Sequence, residues 1–368
     1  MRSIVPPLIA SLPWRVIAVV SGLSIFGTAV LYSAADGSMR PWAAPHLIQF
    51  AVFLILALGI RLMSLELIRS LSFIAYLVSL FLLILVEVIG QVGGGSQRWL
   101  SLGPIAIQPS ELMKLAIILA LARFYEFLPP SYITSWRAVW PALAIMGAPA
   151  ALILIQPDLD AALILLVAGA VVMFLAGIPL RVFVMAGGAV ALMAPLAYFF
   201  VLEDYQQTRL NSFLNPQSDP LGAGYHVIQS KIAIGSGGFF GKGFLNGSQG
   251  HLDYLPAHHT DLVFSAMFEE WGLLGGLILL AAYAWLLRWG FRTAYDARSR
   301  FAKLLALGLT MTISFYVAMN LLTATGITPV MGVPLPLISH GGSAMMTIMI
   351  ALGLLMAIER GEQTQTSL

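Results

Sequence analysis

The sequence predicts an all-α integral membrane protein with about ten transmembrane helices, and three observations carry that reading. Hydrophobic residues make up 59% of the chain and charged residues only 10%, which lies outside the soluble globular range. Apolar runs of about 17–25 residues recur, each able to cross a hydrocarbon core of roughly 30 Å. Lys and Arg gather on alternate connections, as the positive-inside rule requires.

In order, the apolar runs fall near 14–33, 46–62, 70–90, 110–128, 140–156, 161–178, 182–202, 262–287, 304–322 and 343–358. The runs at 140–156 and 161–178 form a close pair, the least distinct split in the series. The lead-in "MRSIVPPLIASLPW" reads as a retained cytoplasmic segment, because no small-residue cleavage site follows it. With the N-terminus inside, the inner loops and span ends hold most of the 19 Lys and Arg, from Arg2 and Arg15 to Lys303 and Arg360. Arg40, Arg98, Arg209, Lys231 and Lys242 then lie outside, and Lys114 lies within a span. Both termini therefore face the cytoplasm. The chain reads as one polytopic domain over 1–368, with a large extracytoplasmic loop at 203–260 between helices seven and eight. A net charge of +2 gives no case for nucleic acid, and zero cysteines exclude disulfide and thiolate chemistry.

Three outward segments are long and rich in Gly, Pro and polar residues, the pattern of functional loops on a rigid scaffold. The first is "GQVGGGSQRWLSLGPIAIQPSELMK". Gln108-Pro109-Ser110-Glu111 reads as a helix start, with Ser110 or Gln108 near the cap. Arg98 beside Trp99 reads as a cation at the outer surface, anchoring headgroups or meeting an anionic ligand. Glu111 and Lys114 are three apart, share a helix face and can pair. Ionisable residues at membrane depth cost about 2.5–3.5 kcal/mol each and usually face a bundle interior or a wet cavity. They either pin neighbouring helices or act in chemistry.

The second segment, "LIQPDLDAALIL", brings Asp158 and Asp160 to an outward turn, as a solvated helix cap or as part of a cation site lacking a third ligand. The third runs from Arg209 to Asp261. Its glycines fit neither the Walker nor the Rossmann pattern; they suit tight turns and close backbone approach. "YHVIQSKIAI" reads as a short amphipathic helix at the interface, with Lys231 and Lys242 available to an anion or to headgroups. At its end, His258-His259-Thr260-Asp261 is open to three readings. Two adjacent histidines make a poor metal site without a turn built for it. Asp261 can cap the following helix, or serve as an acid–base carboxylate where a polar loop enters the bilayer.

Taken together, "QRWLSLGPIAIQPSELMK", "QPDL", "DPLGAGYHVIQSKIAIGSGGFFGKGFLNGSQG", "LPAHHTDLVFSAMFEEWGLLG" and "ITPVMGVPLPLISHGGS" resemble the SEDS family of membrane glycosyltransferases (shape, elongation, division and sporulation), in its RodA branch. The resemblance covers nearly the whole chain, with several motifs in the same order. It implies that Asp261 is the catalytic aspartate, with His259 in the same motif. Glu111 and Lys114 fall on the family's ion pair, and Arg98 on its loop arginine. Gln108, Pro109, Ser110 and Asp158 belong to the matching motifs, as do Ser339, Gly341, Gly342 and Ser343 in the last. Asp160 stands where the family pattern has glycine, and His340 where it has tyrosine.

The activity so implied is polymerisation of lipid II, the undecaprenyl-diphosphate-linked disaccharide pentapeptide, into β-1,4 glycan strands at the outer face of the bacterial cytoplasmic membrane. A base must take the acceptor hydroxyl proton, and cations must meet the leaving diphosphate. Arg98, Lys231, Lys242 and a divalent cation (Mg2+ or Mn2+) are the expected cations. The resemblance also implies a class B penicillin-binding protein transpeptidase as partner, within an elongation complex. Two rival readings are a lipid II flippase lined by Glu111, Lys114 and Glu87, and a non-catalytic scaffold for a transpeptidase. A translocation path would carry polar groups through to the inside, whereas here they concentrate on one face.

Overall fold

The computed structural model describes residues 12–93, 96–102, 105–200, 202, 204–215, 223–252, 254–255 and 257–366. The lead-in up to residue 11, and 203, 216–222, 253 and 256 of the expected outward loop, lie outside the described residues. The long helices are α1 (Trp14–Ala34), α2 (Ala43–Arg61), α3 (Leu65–Ile89), α4 (Pro109–Phe127), α5 (Trp136–Ile155), α6 (Leu159–Leu175) and α7 (Leu180–Phe200). After α8 (Asp204–Leu214), α9 (Ala223–Gly237) and the single turn α10 (Ser248–His251) come α11 (Val263–Asp296), α12 (Arg300–Ala324) and α13 (Gly342–Thr366).

Among the described residues, nine helices are long and apolar enough to cross a membrane. The tenth expected segment, 110–128, forms α4. This helix carries Glu111, Lys114, Arg123 and Glu126 within its 19 residues, too many charges to stand against lipid. It lies instead within the bundle, packed on α3, α5, α6, α12 and α13. The short split at 140–178 is real: α5 ends at Ile155 and α6 begins at Leu159. The buried Gln156 pins that corner by donating from Nε2 to the Leu83 carbonyl (3.0 Å). Small residues let helices approach closely. A Cβ on Gly353 of α13 would stand 2.8 Å from the Ala57 carbonyl oxygen of α2. At the opposite extreme, α7 buries no residue.

Two departures from the sequence reading matter for the site. The first loop is not irregular: Gln91–Gly93 (β1), Ser96–Leu102 (β2) and Ile105–Ile107 (β3) form a small antiparallel sheet in the order β1-β2-β3. Arg98 therefore sits on a strand. The apolar run read as one span at 262–287 is α11, which extends to Asp296 and is broken at Gly272 (φ 61°, ψ −161°).

A glycine loop fills that break. Lys242 and Gly243 donate backbone N–H to the carbonyls of Glu269 and Glu270 (2.9 and 3.0 Å), while Leu273 and Leu274 donate to those of Gly238 and Phe239 (3.0 and 3.1 Å). The loop thus supplies backbone partners that the interrupted helix cannot, which irregular backbone in a membrane protein requires. The approach is close enough to need glycine on both sides. A Cβ on Gly241 would lie 2.0 Å from the Glu270 oxygen, and one on Gly272 would lie 2.3 Å from the Gly241 nitrogen.

Candidate active site

The sequence motifs come together in a site held by separate hydrogen-bonded groups, two of them joined by the chain between Ser339 and Ser343. Asp158 is its first hub. One carboxylate oxygen caps α6 by accepting from the Ala161 N–H (3.1 Å). The other accepts from Gln108 Nε2 (3.1 Å) and pairs with Arg98 Nη1 (3.2 Å). Asp158 is thus a cap, but a buried one rather than a solvated one. Asp160 lies in the first turn of α6, where a negative charge suits the helix dipole. The position is helical, so no glycine is needed there.

Gln108 is the N-cap residue of α4 with Pro109 following, and its side chain reaches Asp158 instead of capping. Its backbone N–H donates to Ser343 Oγ (3.1 Å), and Ser343 Oγ in turn reaches the Ala106 carbonyl (3.4 Å). Ser343 opens α13, so the network passes from the sheet and α6 to the last motif. Ser110 is buried in the first turn of α4. Gly342 lies against Gln49, with a Cβ placed there 3.0 Å from Gln49 Nε2, whereas Gly341 would meet only ordinary contacts with Pro334.

The segment before α13 is non-helical yet buried over Val333, Leu335, Leu337, Ile338 and Ser339. Its polar backbone is answered locally: Leu335 N–H by Ser339 Oγ (2.8 Å), Pro336 O by the Tyr283 hydroxyl and Val333 O by Asn320 Nδ2 (2.8 Å). From this platform three bonds reach the 257–262 turn. The His340 N–H donates to the His259 carbonyl (2.9 Å), Ser339 Oγ to the Thr260 carbonyl (2.6 Å) and Asn320 Nδ2 to the Asp261 carbonyl (2.9 Å). Three successive carbonyls, ending at Asp261, are thereby fixed.

Asp261 itself is half-buried. The capping reading is corrected here: α11 starts at Val263 with Leu262 as its N-cap residue, so Asp261 stands one residue ahead of the cap. Beside it, the His259 ring stacks on Trp42 at 4.1 Å and 6°. Both His258 ring nitrogens face backbone carbonyls, Leu255 at 2.8 Å and Ala34 at 3.2 Å. Burial lowers the His259 pKa from 6.5 to about 4, with His258 and His340 adding to the shift. His340 is lowered too, also by burial. Both rings are therefore neutral at physiological pH. Among the described residues no three His, Asp or Glu side chains stand close enough together to hold an ion.

The expected ion pair is present and has a third member. Lys114 Nζ donates to Glu111 Oε1 and to the Tyr316 hydroxyl (both 2.6 Å), and that hydroxyl donates to Glu111 Oε2 (2.7 Å). All three side chains are buried. Glu87, named with this pair for a translocation path, is instead exposed near the end of α3.

The remaining two cations differ. Lys231 is exposed on α9, its stem lying over Gly326 so closely that a Cβ there would be 2.5 Å from Cε. The helix expected at "YHVIQSKIAI" exists. Its buried stripe is Val227, Ser230, Ala233 and Gly237, and it packs on α11, with Ser230 Oγ 2.6 Å from Ser265 Oγ. Lys242 is engaged by Glu269 and by Ser248 Oγ (2.8 Å). Glu269 is fully buried and also accepts from Ser248 Oγ and the Gln249 N–H. Its neighbour Glu270 accepts from Ser33 Oγ. Sequence reasoning missed Glu269, Glu270, Asn320 and Tyr316. The first two were findable as adjacent carboxylates within an apolar run; Tyr316 carries no such mark.

Residues 10–364 match the cell cycle protein family of FtsW, RodA and SpoVE. The chain belongs to that family. It is 44% identical over 285 residues to the peptidoglycan glycosyltransferase MrdB of Escherichia coli K12, covering 77% of this chain and 76% of that one. It is 36% identical over 297 residues to the stage V sporulation protein E of Bacillus subtilis, covering 79% and 80%. Among solved structures, a chain from a study of polymerization and crosslinking by a peptidoglycan synthase complex superposes with a TM-score of 0.82 at 35% identity, over 96% of this chain and 98% of that one. The rod shape determining protein RodA of Thermus thermophilus gives 0.72 at 29% identity, over 95% and 97%. The FtsW/RodA/SpoVE fold thus extends over essentially the whole chain.

Proposed function

We propose that this chain is a peptidoglycan glycosyltransferase of cell elongation that polymerises lipid II at the end of the bundle holding Asp261, on the outer face of the bacterial cytoplasmic membrane. The observation that carries the reading is Asp261 itself: a half-buried carboxylate on a turn whose backbone is tied down at three consecutive carbonyls. Such anchoring is what a general base needs, since proton transfer depends on position first and pKa second.

In this reading the acceptor sugar's 4-hydroxyl oxygen bonds to the donor's anomeric carbon as its proton passes to Asp261. The bond from that carbon to the diphosphate oxygen breaks, and the α-linked donor becomes a β-1,4 product. The leaving diphosphate meets positive charge from Lys231, which is exposed, and from Arg98, which Asp158 orients. Lys242 contributes through whatever N–H its contacts with Glu269 and Ser248 leave over. A class B penicillin-binding protein is the proposed partner, because the superposed chain comes from a complex that couples polymerization to crosslinking.

The flippase reading draws no support from the polar residues within the bundle. Glu111 and Lys114 close on each other and on Tyr316, so they do not offer a passing headgroup a free partner. The test is polymerisation of lipid II by purified protein in detergent, where two leaflets no longer exist. Glycan chains are expected; a protein that only moved lipid II between leaflets would make none.

A further inference from the structure

A concavity lies at the end of the bundle away from Asp261, between the start of α1 and the ends of α2, α11 and α13. It is a cavity of about 1150 Å³. Its lining holds six arginines, Arg15, Arg61, Arg288, Arg292, Arg298 and Arg360, against three carboxylates, Asp296, Glu359 and Glu362. The positive excess converges from four helices onto one hollow.

One wall is a helical stripe. Trp285, Arg288, Trp289, Arg292 and Asp296 recur on α11 at spacings of three and four, so they share a face. Opposite lies Arg61 at the end of α2, only 3% exposed. Arg61 is enclosed within the lining, where the Glu359 carboxylate partly offsets its charge. Two carboxylates pair at the rim, Asp296 with Arg292 (3.6 Å) and Glu362 with Arg298 (3.7 Å), and Glu359 lies near Arg61 and Arg292, so the lining keeps an excess of arginines over carboxylates. Met356 and the two indoles give it an apolar side.

We propose that this cavity binds a phosphate-bearing anion, with guanidinium groups on the phosphate oxygens and the tryptophans against an apolar stem. Planar guanidinium forks suit phosphate, and indoles favour the depth at which headgroup meets acyl chain. The site is separate from Asp261, and its failure would leave the polymerase reading untouched.

The test uses full-length protein purified in a neutral detergent and three probes: phosphatidylglycerol, phosphatidylcholine and inorganic pyrophosphate. Lipid is measured as the amount retained after re-isolation, and pyrophosphate by thermal shift. Arg15→Gln and Arg288→Gln alter exposed arginines, singly and together, with Arg61→Gln as a third variant. Retention of phosphatidylglycerol over phosphatidylcholine is expected, falling with salt. It should drop about fivefold for each exposed arginine removed and about thirtyfold for the pair. If pyrophosphate shifts the melting temperature and the same variants abolish the shift, the ligand is phosphate itself; if only the lipid responds, the source is a headgroup. Equal retention of the two lipids together with no pyrophosphate shift overturns the proposal. So does binding that the Arg15/Arg288 double variant leaves unchanged.

Discussion

The Glu111–Lys114–Tyr316 ring and the 257–262 turn both hold charge in an apolar protein, and they do so in opposite ways. In the ring the partners are internal: ammonium, carboxylate and hydroxyl answer one another, and all three side chains are buried. In the turn it is the backbone that is answered, carbonyl by carbonyl, while the Asp261 side chain keeps some exposure. The first arrangement fixes helices; the second fixes the backbone around the carboxylate proposed as the base. A charge at a membrane protein's active end therefore has to be judged by which of its atoms the fold has occupied. By that measure Asp158 and Glu269 belong with the ring, since each accepts from several donors and is buried.

The largest effect should come from the turn. Asp261→Asn preserves shape and leaves the three carbonyl bonds intact, but removes the proton acceptor. Positioned acid–base catalysis contributes about 10²–10⁴-fold, so glycan synthesis should fall by that order while thermal stability and lipid II binding hold. Near-normal polymer from the variant would remove Asp261 from the chemistry.

The ring should show the reverse pattern, with stability moving first. Removing one partner strands a buried charge at a cost of roughly 3–5 kcal/mol, so Glu111→Ala and Lys114→Ala should each lower the unfolding midpoint in detergent sharply. Exchanging them, Glu111→Lys with Lys114→Glu, should recover part of the loss, because the Tyr316 hydroxyl can donate to either site and accept from the other. Tyr316→Phe leaves the ion pair and deletes two hydrogen bonds, a smaller loss of about 1–3 kcal/mol. If Tyr316→Phe equals Lys114→Ala in midpoint, the ring is not organised around its charges.

The same contrast explains what was legible in the sequence. The helices follow from apolar runs, with ends displaced by only a few residues at most spans. The Glu111–Lys114 pair follows from i,i+3 spacing, which is a local property. Tyr316 does not, because a neutral residue on a distant helix has no periodic mark. The Gly272 break was hidden within an apolar run: the loop that completes it, 238–243, pairs with the helix only in three dimensions. Asp261 was legible as a candidate from its place at the end of a polar loop, but not as a residue ahead of the cap. The tight turn that displaces it depends on Ala257 at φ 51°, a conformation that alanine rarely adopts. Arg98 read as a surface cation because its partner, Asp158, comes from another loop.

The last prediction concerns two histidines of this region, His259 within the turn and His340 bonded to it. His259 and His340 lie outside the spans, and burial holds both below the ordinary imidazole value, His259 at about 4. Unfolding would return His259 to 6.5. Between those two values the unfolded chain binds more protons than the folded one, so stability rises with pH across that window. The contribution is complete above about pH 6.5, declines as the pH falls towards 4, and is lost below it. The unfolding midpoint in detergent should therefore drop between pH 7.5 and 4.5. His259→Phe keeps a ring against Trp42, now 4.1 Å from the histidine, but cannot take a proton. It should flatten the slope without lowering the midpoint at pH 7.5 by a comparable amount, and His340→Phe should flatten it further. An unchanged slope in the double variant would assign the acid sensitivity to other groups and leave the turn rigid for reasons independent of imidazole charge.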